Sequence, residues 1–590
     1  MMPISSLPVV QRHPAIKKFF PVGLVLLLTL LLYIPSLRNG FVWDDYITLV
    51  ANDFVKSLAH VPRIFSRDYL TKANDIVFVG AKDIGTAEST YRPVVTLSYF
   101  FDYAFWKLDP LGYHAHNLVL HFFNTFLVYA LILNLTRRRP AAFMGSLLFG
   151  WHPVHALTVG GIWAREDLQA FFFYALSFFC YIRAGDPPFE KKGGWTAVAL
   201  SAFFLALFAK EMAMTLPLIV LLYDDLYRGK MAPGARHVGF LAVLAFYGVI
   251  RFFVLALPDG MQGRFLADGG VAHAASMLGV IAAYVRWLIA PLDLHYIMPE
   301  DISHVSLGLA DIRVLTSFFV LAGLLALAFG LRRSCRDISF GLFWFFVALI
   351  PVMNIVPLKN FMALRYLYIP SFGFCLVAAG TLARAWPPAG VFRKRMFFLG
   401  FLTLLVLGVY ARGTLKLIPV MKDNFSFTKD LVRHYPRVLR VRSLMGMQYY
   451  LKGDLQAAGQ EFTAALRLEP RYGNAYLGQG MIYYQRGKTE RAVRDFQEAL
   501  RMDPHLWRAH EFLGNIFFEQ KRYRRAIDQY RQLLEKVPRY VPAYNKMGLG
   551  YDKLGQPGKA RRMWRLALTI DPDNSFAIHH LSRHARHERF

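Results

Sequence analysis

A chain of 590 residues that is 55% hydrophobic, 15% aromatic and only 18% charged carries too little charge for a soluble protein of its length. Its net charge of +28 comes without zinc-finger spacing or an RNP-type motif, which argues against nucleic acid as a partner. It fits basic loops that hold a membrane topology and a basic tail beside anionic lipid. Cys180, Cys335 and Cys375, scattered in or beside apolar runs, suggest neither a disulfide framework nor a metal site.

Apolar residues are dense before about residue 415 and sparse after it. The composition therefore predicts an all-α protein: a polytopic membrane domain over 21–415 behind a cytoplasmic N-terminus (1–20), then a linker (416–434) and a soluble domain (435–590). The run at 21–37 follows Arg12, Lys17 and Lys18 and ends in Ile34-Pro35-Ser36-Leu37-Arg38. No small-residue cleavage motif follows it, so it is expected to stay as a first span. Further runs of spanning length lie near 112–135, 141–158, 167–184, 195–209, 212–226, 237–257, 273–290, 313–331, 338–356, 366–386 and 396–413.

Short basic loops set the orientation: Arg137-Arg138-Arg139, Lys191-Lys192, Arg228 to Arg236, Arg332-Arg333 with Arg336, and Arg393-Lys394-Arg395. Each is expected in the cytoplasm, with the N-terminus. Counting from both ends leaves one crossing too many between 237 and 312. The weakest run, 273–290, contains His273 and Arg286. If it does not cross, about eleven spans satisfy every basic loop and the soluble domain lies outside.

The first external loop, 38–111, is long. It opens on Gly40-Phe41-Val42-Trp43-Asp44-Asp45-Tyr46 and later carries Arg63, Arg67, Asp68 and Tyr91-Arg92-Pro93. Two adjacent carboxylates beside a membrane are costly unless solvated or used. Asp44 as the cap of a helix starting near Tyr46 is the structural alternative, and a cap needs only one carboxylate. The stretch Val94 to Trp106 has the pattern of a segment lying on the membrane surface. Polar residues recur at external span ends: His114, His116, His121, His152-Pro153-Val154-His155, Arg165-Glu166-Asp167, Lys210-Glu211 and Arg365-Tyr366. Taken singly, Lys210–Glu211 reads equally as an interfacial pair and Arg365 as a snorkelling side chain. Their common side points to one cavity.

Beyond residue 435 the pattern changes. Pro470, Pro504, Pro538 and Pro572 are 34 residues apart, and between them run in phase Gly446, Gly480, Gly514 and Gly548, then Ala458, Ala492, Ala526 and Ala560, then Phe462, Phe496, Tyr530 and Trp564. This is the tetratricopeptide-repeat period, four units of a helix-pair solenoid, with 573–590 as a capping helix. Such arrays present a surface to a peptide or protein partner.

Together with Asn39, the Asp-pair segment and Tyr91-Arg92-Pro93, the segments Gly112-Tyr113-His114, His116-Asn117, His152-Pro153-Val154-His155, Arg165-Glu166-Asp167-Leu168, Lys210-Glu211 and Arg365-Tyr366-Leu367-Tyr368-Ile369-Pro370-Ser371 resemble the TMTC-type protein O-mannosyltransferases of the GT-C glycosyltransferase superfamily. The resemblance implies a GT-C-like helix bundle and transfer of mannose or a similar hexose from a polyprenyl-phosphate donor to a hydroxyl of a protein or envelope glycan. It implies Asp44 or Asp45 as base or acceptor-orienting group, with Asp45 favoured. For the donor phosphate it implies Arg92, Arg165, Lys210, Arg365 and Tyr366; for orienting sugar or acceptor, His152, His155, Glu166, Asp167 and Glu211. No cation cage is visible, so no metal and no cofactor are expected. Leu157 and Leu364 stand where the family pattern usually carries acidic residues. Those departures point to a bacterial relative, in the inner membrane with its site and repeats facing the periplasm. They also support the alternative of a non-catalytic membrane scaffold presenting repeats. A lipid-linked glycan transporter ranks third, since the polar groups gather at span ends.

Overall fold

The chain divides between Asp423 and Asn424 into two units, each with its own core. This computed structural model describes residues 14–65, 91–185, 192–229, 234–254, 270–298, 311–355, 358, 360–385 and 393–587. Arg12, Arg67, Asp68 and Lys191 lie outside them. Among the described residues all regular structure is helical, as the composition predicts.

In the first unit seven helical stretches among the described residues are long and apolar enough to cross a membrane: Phe20–Arg38, Pro110–Thr136, Ile162–Gly185, Ala235–Phe253, Gly270–Ile289, Ile312–Gly330 and Phe397–Met421. Two further apolar helices, Gly193–Ala209 and Ser371–Ala385, are shorter. The run over 273–290, the weakest by sequence, lies in an unbroken helix, Gly270–Ile289.

Other expected spans are interrupted, and the interruptions have local causes. The helix Arg139–Trp151 stops before Pro153, which has no N–H to continue the ladder. His152 Nδ1 accepts the Val154 N–H at 3.3 Å, and a 3₁₀ turn, Pro153–His155, leads into a short helix, Ala156–Gly160. Arg336–Leu349 gives way at Pro351 to the turn Ile350–Val352. Lys210 is extended after the helix Lys192–Ala209, and Glu211–Thr215 resume as 3₁₀. Irregular backbone within a membrane domain is tolerated where it is buried in protein or lines a cavity. The helix Pro93–Trp106 buries Thr96, Ser98 and Asp102 along with Val95, Tyr99 and Phe100, and leaves the apolar Phe101, Phe105 and Trp106 exposed.

The second unit stacks helix pairs: Leu439–Leu451 with Leu455–Leu468, Gly473–Gln485 with Thr489–Met502, Trp507–Glu519 with Tyr523–Lys536, and Val541–Lys553 with Pro557–Ile570. Asn424–His434 precedes them and Ser575–His587 follows. The in-phase glycines have a direct packing cause. A Cβ on Gly446, Gly480, Gly514 or Gly548 would stand 2.7, 2.7, 2.6 or 2.3 Å from the ring of Phe462, Phe496, Tyr530 or Trp564. Ala458, Ala492, Ala526 and Ala560 are fully buried.

Candidate functional site

The Asp-pair loop is anchored where it begins. Gly40 N–H donates to the Lys422 carbonyl at 2.8 Å, and Asn39 Nδ2 to the Ile418 carbonyl at 3.3 Å. The ring of His114 meets the Gly40 carbonyl at 3.2 Å. Trp43 is held at φ +58°, a left-handed conformation that costs a bulky residue on the order of 1–3 kcal/mol and is met most often at functional sites. Asp45 follows at the N-cap position of the turn Tyr46–Val50 but makes no side-chain cap. Its Oδ2 accepts the Val42 N–H and its Oδ1 the Trp163 N–H, each at 2.8 Å, and the residue is fully buried. Burial pushes its carboxyl up to about 8, against the two amide N–H groups, which favour the charged form. Asp45 is thus a clasp between the loop and the segment that opens the helix Arg165–Gly185. Asp44 retains 8% exposure, and its main-chain carbonyl, not its carboxylate, takes the Thr48 N–H at 2.9 Å.

Next to this loop five of the expected side chains form one ion network. Lys210 Nζ donates to both oxygens of Asp167 at 2.7 Å and to Glu166 Oε1 at 3.0 Å. Arg92 bridges Glu166 and, at 3.1 Å, Glu211. Burial brings the Lys210 ammonium down to about 8, against the attraction of Asp167 and with repulsion from Arg365 and Arg92. Burial works to raise Glu211, and is outweighed by Arg92, Arg251 and Lys210, which hold it at about 2.

Arg365 differs from these. No carboxylate pairs with it among the described residues, and its Nε is buried without a hydrogen-bond partner. Its guanidinium lies over the Trp163 ring at 4.9 Å and beside the Tyr366 ring at 5.7 Å. Asp167 and Asp44 act on it electrostatically. It borders a narrow cavity with Trp163, Tyr296 and Asn360. Lys210 Nζ lies 5.4 Å from the Tyr366 ring, and Tyr366 donates its hydroxyl to the Asn360 carbonyl at 3.0 Å. A delocalised cation stacked on aromatic faces, with a buried N–H still to be satisfied, suits a phosphate or other oxyanion.

Of the expected site residues only Arg365 lines the cavity itself, and three belong neither to it, nor to the Asp-pair loop, nor to the ion network. Arg165 is fully buried and spent on protein acceptors: Asn117 Oδ1 at 2.8 Å, the Tyr113 carbonyl at 2.9 Å, Ser98 Oγ at 3.2 Å and Asp102. His152 places one nitrogen on the Leu288 carbonyl at 3.0 Å and the other on the Val154 N–H. His155 meets Ser371 Oγ at 3.2 Å inside a cage with Phe149, His121 and Tyr368. All three hold helices together. Sequence reasoning did not single out Thr158, Trp163, Tyr296 or Asn360, which line the cavity. Trp163 was legible only as a neighbour of Arg165. Among the described residues no group of three His, Cys, Asp or Glu side chains is placed to hold a metal ion.

Comparison with known proteins agrees with the motif reading. The tetratricopeptide-repeat family profile matches residues 444–504 and 477–541. Human protein O-mannosyl-transferase TMTC1 is 26% identical over 496 residues, covering 75% of this chain and 54% of its own. Human protein O-mannosyl-transferase TMTC3 is 25% identical, covering 59% and 40%. The Drosophila melanogaster protein O-mannosyl-transferase Tmtc2 is 31% identical, covering 53% and 34%. The chain spans about half the length of the curated relatives it matches. A crystal structure of MamA, 20% identical, covers 25% of this chain and 86% of its own at a TM-score of 0.23, too low to bear on the fold. The chain is an integral membrane protein with tetratricopeptide repeats that resembles the TMTC-type proteins.

Proposed function

We propose that this protein is a glycosyltransferase that moves mannose or a similar hexose from a polyprenyl-phosphate donor to a hydroxyl on a protein or envelope glycan. The site and repeats face the periplasm from a bacterial inner membrane, and the repeats present the acceptor or an envelope partner. The hydroxyl oxygen of the acceptor attacks the anomeric carbon. The bond from that carbon to the phosphate oxygen breaks, its electron pair leaves with the phosphate, and the hydroxyl proton passes to a carboxylate.

Arg365 holds the phosphate as charge builds on it, and Asp44 accepts the proton. The observation that carries this reading is Arg365 itself: a cation without a carboxylate partner among the described residues, stacked on Trp163 in a cavity, within electrostatic reach of Asp44. For a general base geometry comes before pKa. Both oxygens of Asp45 are committed to backbone N–H groups, so the role moves to Asp44, although Asp45 was favoured from sequence. Arg165 enters as a strut. Glu166, Asp167, Lys210, Arg92 and Glu211 form the wall that fixes Arg365 and Tyr366.

The test is transfer by the full chain, reconstituted in nanodiscs, from polyprenyl-phosphate mannose to peptides containing Ser and Thr. Arg365→Ala is expected to lower the rate about 100- to 1,000-fold, the usual cost of one missing anion-stabilising donor. Arg365→Lys, which keeps charge but loses the planar fork, should fall between. Absence of transfer by the unaltered chain from any polyprenyl-phosphate hexose would leave the scaffold reading in its place.

A further inference from the structure

Buried polar groups in folded proteins nearly always find partners, so a cluster of exceptions asks for a cause. Four fall on one cavity. Thr158 Oγ1, Trp163 Nε1, Asn360 Oδ1 and Arg365 Nε are each buried without a hydrogen-bond partner among the described residues, and all four residues line the same narrow space. They are a mixed set: two N–H donors, one amide oxygen that accepts, and one hydroxyl that does either. A single anion would want donors only, and an apolar lipid tail would want none of them.

The rest of the wall is apolar. Leu157 and Leu364 line it beside the Tyr296 ring, which meets Trp163 and Trp43 at centroid distances of 6.0 and 6.1 Å. Among the described residues no Asp or Glu lines the cavity, a lining suited to a neutral sugar. A pyranose matches this division, with hydroxyls around its edge and C–H groups on its faces. We infer that this cavity is the sugar subsite. It takes the neutral hexose of a hexosyl phosphate, with Thr158, Trp163 and Asn360 reading its hydroxyls, the aromatic rings covering its C–H face, and the phosphate at Arg365. The inference rests on the glycosyltransferase reading and deepens it. Two of the three reading residues come from the break after His155 and from the clasped segment at Asp45. The loop that holds the carboxylate pair therefore also fixes the sugar wall, through the Trp163 N–H bond to Asp45 Oδ1 at 2.8 Å. The cavity is narrow as it stands, and seating a pyranose requires the Trp163 and Tyr296 rings to part.

The experiment compares direct binding of two probes to the full chain in nanodiscs: polyprenyl phosphate without sugar, and polyprenyl-phosphate mannose. The unaltered chain is expected to bind the mannosylated probe more tightly. Thr158→Val removes a hydroxyl at nearly constant shape, and Trp163→Phe keeps a ring but loses its N–H. Each should weaken the mannosylated probe about five- to tenfold, the worth of one hydrogen bond, and Thr158→Val should leave the bare phosphate unchanged. Arg365→Ala should weaken both. Thermal denaturation of each variant identifies misfolding, and Thr158→Val carries the test alone if Trp163→Phe is unstable. Equal losses for both probes in Thr158→Val, or no loss for either, would overturn the sugar subsite. If the unaltered chain binds both probes equally, the subsite fails while the phosphate site stands. If it binds neither, the glycosyltransferase reading itself fails.

Discussion

Asp44 and Asp45 are adjacent and chemically identical, yet their surroundings predict opposite outcomes for the same substitution. Asp45 holds two backbone N–H groups at 2.8 Å with full burial. In Asp45→Asn the amide oxygen keeps one of them, and the amide nitrogen, itself a donor, faces the other. One buried N–H is left unmade, at about 1–3 kcal/mol. Asp45→Ala strands both, so its loss should be about twice as large. The Val42 and Trp163 N–H groups are held by Asp45 and not by Asp44, so, compared with Asp45→Asn, Asp44→Asn, nearly identical in shape, should cost less stability. Its effect belongs to the reaction: loss of a general base lowers the rate about 100- to 10,000-fold, which is roughly 2.7–5.4 kcal/mol of barrier. Two measurements on each variant separate the roles. One is thermal denaturation in detergent; the other is transfer from polyprenyl-phosphate mannose at saturating donor. The expected pattern is a stable, inactive Asp44→Asn and a less stable Asp45→Asn whose folded fraction still turns over. A fully active Asp44→Asn beside a stable, inactive Asp45→Asn would refute the reasoning and return the base to Asp45. Full activity in both, and in the double variant, would remove the pair from the chemistry.

The remaining predictions address the wall, the repeats and the topology. Lys210 has a folded value of about 8, below the ordinary lysine range. The unfolded chain therefore binds more protons above pH 8, and this residue's destabilising effect, complete below that pH, fades as pH rises. Loss of its charge at the same point frees Glu166 and Asp167, so transfer should decline above about pH 8. Lys210→Arg should move that alkaline limb upward, and an unchanged pH profile would count against the role. In the repeats, Gly548→Ala drives a methyl to within 2.3 Å of the Trp564 ring and should cost about 1–3 kcal/mol by overpacking. Gly558→Ala, with nothing within 4 Å, should cost nothing, and equal denaturation of the two would deny the packing argument. For topology, a Cys at Gln497 should react with an impermeant reagent added outside spheroplasts, whereas Arg138→Cys should be protected. The reverse pattern would invert the proposed active side.

What the sequence discloses here depends on how far apart the partners lie. The repeats were legible because each glycine and its aromatic are 16 residues apart, as Gly446 and Phe462 are, and recur every 34; one period states both the fold and its cause. The helical character of the first unit followed from apolar length alone, but its breaks at Pro153 and Pro351 required asking which prolines interrupt a run. Within the site, residue types were legible and their duties were not. Arg165, Glu166 and Asp167 are consecutive, and a helix turns successive side chains by about 100°. Arg165 therefore goes to Asn117 and Asp102 while its neighbours go to Lys210 and Arg92. Which Asp is a clasp depends on the Trp163 N–H, 118 positions away. Leu157 and Leu364 read as two separate departures from a pattern until they lie on one cavity wall. The residues proposed for ligand contact, Arg365, Trp163, Thr158 and Asn360, share what no sequence displays: polar atoms that the fold buries and leaves without a partner among the described residues. A carboxylate placed opposite Arg365 would erase that signal. Leu364→Glu, next to it in sequence, is therefore expected to compete with the phosphate for the guanidinium and to weaken binding of bare polyprenyl phosphate. Leu364→Met, which conserves volume and adds no charge, should leave that binding unchanged. Equal affinity in the two variants would mean that the lack of a partner at Arg365 is not what the donor reads.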